Sequence, residues 1–117
     1  MTTHGNRPRR WTKRSLLALF SALLATPAQA RPVTATVYDA WYHGRVTYCG
    51  QTFQFWGVSA AHPWLPCGTR VQVRHQGRSL TVPITDRCEC NSIDLSAGAA
   101  YRLGVPLDGI ARVQISH

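Results

Sequence analysis

The chain is predicted to fold as an all-β protein, a small β-barrel carrying one short helix. Three observations point there. Apolar and polar residues alternate with period two in "VTATVY" (33–38) and across "TRVQVRHQGRSLTVPITD" (69–86), as they do in strands with one face buried. A single stretch, "SAGAAYRLG" (96–104), has a helix's composition and both of its caps. The chain as a whole is punctuated by seven prolines and nine glycines, the mark of many short strands and turns.

Residues 1–30 are read as an export signal rather than as fold. "RPRRWTKR" is a basic leader, "SLLALFSALLA" is too short to span a bilayer, and "TPAQA" places small residues at Ala28 and Ala30, the spacing a signal peptidase accepts. Cleavage is expected after Ala30, leaving no membrane anchor. Arg9 and Arg10 resemble a twin-arginine signal but lack the apolar residues that follow one, so ordinary secretion is expected. Localisation is therefore secreted, or periplasmic at the cell envelope.

Strand 33–38 opens the domain, 31–117. "DAWYHGRVTYCGQTF" reads as a loop rich in Gly and aromatics, and "GVSAAHPWLPCG", with two prolines, as a loop or a short strand. In 69–86, Val71 and Val73 alternate with polar residues, "HQGR" turns around Gly77, and Leu80, Val82 and Ile84 resume the alternation. Pro83 is expected on an outward, unpaired position. Ser96 is the expected N-cap and Gly104 the C-cap of the helix. "IARVQIS" (110–116) closes the fold as a strand.

The full chain is strongly basic, with 13 Lys and Arg against five acids. Five of those cations lie in the signal. The domain keeps eight arginines and no lysine, a mild net +3 that suits an anionic wall polymer and gives little support to nucleic-acid binding. Cys49, Cys67, Cys88 and Cys90 all lie in the domain, and an even count in a small exported domain reads as disulfides. Four cysteines allow three pairings. Cys88 and Cys90 are expected either to pair with each other in a small, strained, easily reduced ring or to remain thiols. The spacing lacks the two C-x-x-C knuckles of a zinc site. No metal or cofactor is expected, and the domain is expected to be a monomer.

"HGRVTYCGQTF", "VSAAHPWLPCGTRVQV", "ITDRCEC" and "IDLSAGAAYRLGV" follow one another in an order that resembles the rare lipoprotein A family over about residues 33–116. The resemblance implies a six-stranded double-psi β-barrel. It also implies lytic cleavage of peptidoglycan glycan strands stripped of their peptides, with an anhydro-muramyl end as product. Related barrels occur in expansins, barwin-like plant proteins and some secreted protease inhibitors, and the barwin-like pattern supports a Cys49–Cys67 bridge. Longer members carry a wall-binding domain after the barrel; none is expected after His117, and targeting is expected from the barrel itself.

The family lines its groove with a Glu in a "GExF" loop, the His of "AAH" and the Asp of "DRG". Here those positions read Gln51, His62 and Asp86. The amide of Gln51 can hydrogen-bond a sugar but cannot supply a proton. Two readings follow. Either Asp86 is the acid of the reaction, with His62 beside it, or the groove binds glycan or a protein without cutting, as a glycan-binding module or protease inhibitor does. Asp94 is expected to hydrogen-bond backbone amides near the helix start, and Glu89 to be solvated. Trp41 and Tyr42 are the expected exposed members of an aromatic group that also includes Tyr48, Phe53, Phe55, Trp56 and Trp64, because aromatic faces stack on sugar C–H faces. Arg45, Arg70 and Arg87 are candidates to meet muramyl carboxylates.

Overall fold

A computed structural model describes residues 29–117. The export signal expected at 1–30 lies outside the described residues except for its last two. Six strands form a closed barrel: β1 (Arg31–Val37), β2 (Ala60–Ala61), β3 (Arg70–His75), β4 (Arg78–Asp86), β5 (Ile93–Leu95) and β6 (Ala111–Ser116), in spatial order β1-β5-β2-β4-β3-β6. One helix, α1 (Ala97–Leu103), follows β5.

The local signals produce the elements expected of them. The β3–β4 hairpin turns on Gln76 (φ 46°) and Gly77 (φ 83°), two successive positive-φ residues matching the right-handed twist of the flanking strands. The Ser96 side chain accepts the Ala99 amide, and Gly104 closes α1 in the left-handed region at φ 72°, as the caps require. Pro83 differs from expectation. It is paired with Arg70. The Ile84 amide bonds the Thr69 carbonyl, so Arg70 and Pro83 occupy the adjacent pair that exchanges no ladder bonds, where a missing N–H costs nothing toward β3.

Of the two shortest strands, β2 falls in the stretch read as a loop or a short strand, and β5 was not legible from local pattern. β2 has two residues and β5 three, and both are held by neighbours. β5 runs parallel to β1 and antiparallel to β2; β2 runs parallel to β4. The barrel interior is aliphatic. Ala35, Ala60, Val71, Val73, Val82, Ile84, Ile93, Leu95, Val113 and Ile115 are buried there, with Leu103 and Val105 sealing one side. Each such Val, Ile or Leu contributes about 1.5–3 kcal/mol by leaving water. A smaller cluster, Tyr38, Phe53 and Ala61, has Phe55 and Cys88 against it.

Candidate functional site

Strand pairing places four residues in one row across four strands. Thr36 of β1 is opposite Asp94 of β5, Asp94 is opposite Ala61 of β2, and Ala61 is opposite Asp86 of β4. Residues directly opposite one another project from the same face. Their strand neighbours Ile93, Leu95, Ala60 and Ile84 fill the interior, so the row lies on the outer face.

Asp86 reaches this row through a bulge. Ala60 pairs with Ile84, but Ala61 pairs with Asp86, so β4 supplies one extra residue at Thr85. In a regular strand running through Thr85, Asp86 would share the inward parity of Val82 and Ile84; the bulge turns it outward. The Thr85 carbonyl instead accepts the Cys49 amide.

Three donors converge on the Asp86 carboxyl, each at 2.8 Å: the Tyr38 hydroxyl on Oδ2, and the Tyr48 and Arg87 amides on Oδ1. An ionised carboxylate, which only accepts, satisfies all three. Burial, aided by the Asp86 hydrogen bond, pushes the Tyr38 phenol well above its ordinary value, so it remains a donor. Asp94 is treated differently. Its Oδ1 accepts one bond, from the Thr36 hydroxyl at 2.9 Å. Burial pushes its carboxyl up from the ordinary value and the Asp86 charge adds to the push, against the opposing effect of Thr36. Asp94 bonds no backbone amide of the helix, contrary to expectation; Ser96 performs that capping.

Aromatic rings flank the row. Tyr38 stacks on Phe53 at 4.3 Å and meets Tyr42 edge-on at 5.7 Å; Tyr42 meets Trp41 edge-on at 5.0 Å. Phe53 is core, while Trp41 and Tyr42 are exposed, as the sequence reading expects. The Arg45 guanidinium lies 3.4 Å from the centroid of the Trp41 ring. Trp41 is held by a turn of 3-10 helix (Ala40–Tyr42) capped by Asp39.

Disulfides shape the loops around Asp86. Cys49 and Cys67 are bonded, with Cα atoms 5.8 Å apart. This bridge ties the loop that supplies the Tyr48 amide to the turn before β3, and closing a loop of this length contributes about 3 kcal/mol. Cys88 and Cys90 are bonded to each other. Their segment joins Asp86 to β5, and Cys88 packs on the Tyr38–Phe53–Ala61 cluster.

The three positions aligned from the family motif do not share one hollow. The His62 amide bonds the Asp86 carbonyl, but its ring is 3% exposed and takes the Trp64 and Leu65 amides on Nδ1. His62 lines a hollow with Arg31, Trp64, Asn91 and Ser92. Two donated amides fix the proton on Nε2, and burial, then the charges of His117, Arg87 and Arg31, hold its pKa below the ordinary value. Gln51 lines a different hollow, with Gln54, Gly57 and Thr85. Arg87 is committed to the fold: its guanidinium bonds the His62 and Leu65 carbonyls at 3.0 and 2.6 Å and lies 5.0 Å from the Tyr48 ring centroid. Glu89 is exposed. Tyr38 and the position of Asp94 beside Asp86 escaped sequence reasoning. The available signal was that both carboxylates bracket one short segment, "DRCECNSID".

The architecture and the row define a class of protein. The family model described as lytic transglycolase, a double-psi β-barrel domain, matches residues 34–115. The chain belongs to this rare lipoprotein A-like double-psi β-barrel family. It is similar to the endolytic peptidoglycan transglycosylase RlpA of Pseudomonas aeruginosa, 39% identical over 87 residues, covering 70% of this chain and 26% of that protein. A probable endolytic peptidoglycan transglycosylase RlpA of Synechocystis is 35% identical over 124 residues, 87% of this chain and 39% of that one. An uncharacterised Synechocystis protein is 42% identical, across 71% of this chain and 93% of its own length. The chain thus spans about a quarter to two fifths of the transglycosylases it matches here. Among solved structures, the Streptomyces papain inhibitor superposes with a TM-score of 0.64 at 28% identity, covering 79% of this chain and 97% of the inhibitor.

Proposed function

We propose that this protein is an exported lytic transglycosylase that cuts peptide-stripped peptidoglycan glycan strands. The observation that carries the reading is the in-register Asp94–Ala61–Asp86 row. It sets an acid with a raised pKa beside a carboxyl group that accepts three hydrogen bonds. An acid that keeps its proton, with a second carboxyl group beside the breaking bond, is what acid-catalysed glycosidic cleavage requires.

The proton donor in this reading is Asp94, whereas the sequence motif had drawn attention to Asp86. Asp94 protonates the glycosidic oxygen as the bond from the anomeric carbon breaks. The positive charge developing on the sugar faces the Asp86 carboxylate. The C6 hydroxyl of the same sugar attacks the anomeric carbon, and its proton passes to Asp94, restoring the acid. The product is a 1,6-anhydro end, formed without water. Trp41 and Tyr42 stack on sugar rings beside the row. Gln51 needs no proton in this scheme. His62 acts through the 62–65 turn rather than on substrate.

The test is to incubate the exported form, oxidised and beginning at Arg31, with peptide-stripped glycan strands and to search the products by mass spectrometry. Anhydro-muramyl ends are expected. Hydrolysed reducing ends, or intact strands, would sink the reading. A second reading, secreted protease inhibitor, is favoured by one observation: the likeness to the papain inhibitor runs over nearly that protein's whole length. Stoichiometric loss of papain activity on titration, with glycan strands left intact, would establish it instead.

A further inference from the structure

Outside the row, the most conspicuous unexplained feature is a pair of solvent-facing aromatic rings. Trp56 is 62% exposed and Tyr101 is 70% exposed, and they meet edge-on at 6.5 Å. Neither is needed by the barrel core. The backbone beneath them is nevertheless held tightly. Gly98 lies so close to the segment below Trp56 that a Cβ there would collide with the Trp56 and Gly57 carbonyl oxygens. Its amide bonds the Phe55 carbonyl, the Ser96 hydroxyl bonds the Gly57 carbonyl, and the Ser59 amide bonds the Ser96 oxygen. Glycine inside a helix is less favourable than alanine. Here it lets the Trp56 segment dock on α1 and fixes the base of an exposed ring.

The pair is continuous with the surface beside the carboxylates. Phe55 meets Trp56 edge-on at 5.1 Å and packs on the Tyr38–Phe53–Ala61 cluster that lies over the row. Ala40, His43, Phe55 and Trp56 line a hollow of about 350 Å³, and the turn that supplies Ala40 also presents Trp41. The His43 Nδ1 accepts the Phe55 amide, which fastens the two walls together. No acid, lysine or arginine lines this hollow.

Resting on the glycan-strand reading, we propose that Trp56 and Tyr101, with the hollow beside them, form a second sugar-binding platform. A strand several sugars long would then run from the carboxylate row past Trp41 to Tyr101. The occupant is a neutral pyranose ring: an uncharged, aromatic-walled hollow stacks sugar C–H faces and offers nothing to an ionic partner. Rings pre-set on a rigid backbone bind without paying for ordering. The substrate is therefore a polymer, selected by length.

The test measures affinity against length, titrating peptide-stripped glycan fragments of rising sugar number into the wild type, Trp56→Ala and Trp56→Phe, in the cold so that strands stay intact. Affinity should climb until fragments reach the second platform. Trp56→Ala should lose about tenfold on long fragments, one stacked ring's worth, and nothing on disaccharides. Trp56→Phe should keep most of the gain. Equal affinities of wild type and Trp56→Ala at every length would overturn the second platform while leaving the row intact, as would an equal loss at every length. If no fragment of any length binds the wild type, the glycan reading itself falls.

Discussion

The inside and the outside of the β5-β2-β4 sheet are separated by one residue of chain and by opposite chemistry. Inward are Ile93, Leu95, Ala60 and Ile84, all fully buried. Outward, at the very next positions on β5 and β2, are Asp94 and Ala61. The interior needs only shape and is held by aliphatic burial. The outer face holds two carboxyl groups close enough for one to raise the pKa of the other. A strand can carry both because its side chains alternate. The site therefore rests directly on the most rigid part of the molecule, where carboxylate positions are set by strand register instead of loop conformation.

The sharpest way to break this contrast is to put outer chemistry inside. Ile84→Asp should cost more than about 4–5 kcal/mol, the scale of an unpaired buried charge, and abolish cooperative melting by circular dichroism. A folded Ile84→Asp protein would mean that the interior is not sealed.

Next come the carboxylates themselves. Asp86→Asn and Asp94→Asn should each reduce strand cleavage by about a hundredfold or more, while the melting temperature stays within a few degrees of wild type. Loss of folding in either variant would make that residue part of the scaffold. Full activity in Asp94→Asn with none in Asp86→Asn would return the proton to Asp86.

The smallest effects are pH dependences of opposite sign. The raised pKa of Asp94 means that the folded state holds its proton more tightly than the unfolded chain. Its contribution to stability is complete below 3.8 and is lost as pH rises through the folded value. His62, with its lowered value, binds a proton less tightly when folded. Its contribution is complete above 6.5 and is lost as pH falls through the folded value. Urea unfolding across pH 3–8 should show Asp94→Asn flattening the loss on the rising side and His62→Gln flattening the acid loss. Nitrogen-15 spectra should show the Nε2–H tautomer of His62. A protonated imidazolium at pH 7 would contradict the two amides pointed at Nδ1.

The sequence was most informative where structure is local. The hairpin around Gly77, the Ser96 and Gly104 caps and the strands at 33–38 and 110–116 each announce themselves within a few residues, because turn chemistry and alternation act at that range. β5 did not. Three residues, Ile93–Leu95, carry too little alternation to read as a strand, and what makes them one is pairing with β1 and β2, distant in sequence. The site divides along the same line. Trp41 and Tyr42 were legible as exposed rings, and Asp86 as a carboxyl group at the end of a strand. The pairing of Asp94 with Asp86 was not, since it depends on register across three strands. Nor was the turning of the His62 ring toward Trp64 and Leu65, which only the amide geometry of that turn decides.

The extra residue in β4 gives the loop beside Asp86 an anchor that a comparison of side chains cannot see. Deleting Thr85 would leave every motif, cysteine and apolar position in order, and a comparison by residue identity would score the protein as nearly unchanged. Yet the deletion would remove the carbonyl that bonds Cys49, and with it the tie between β4 and the loop that brings the Tyr48 amide to Asp86, while Asp86, now directly after Ile84, would keep its outward direction. In this barrel the extra residue before "DR" sets how the Tyr48 loop is anchored rather than which face the carboxyl takes, and relatives can be sorted by strand length before their side chains are compared.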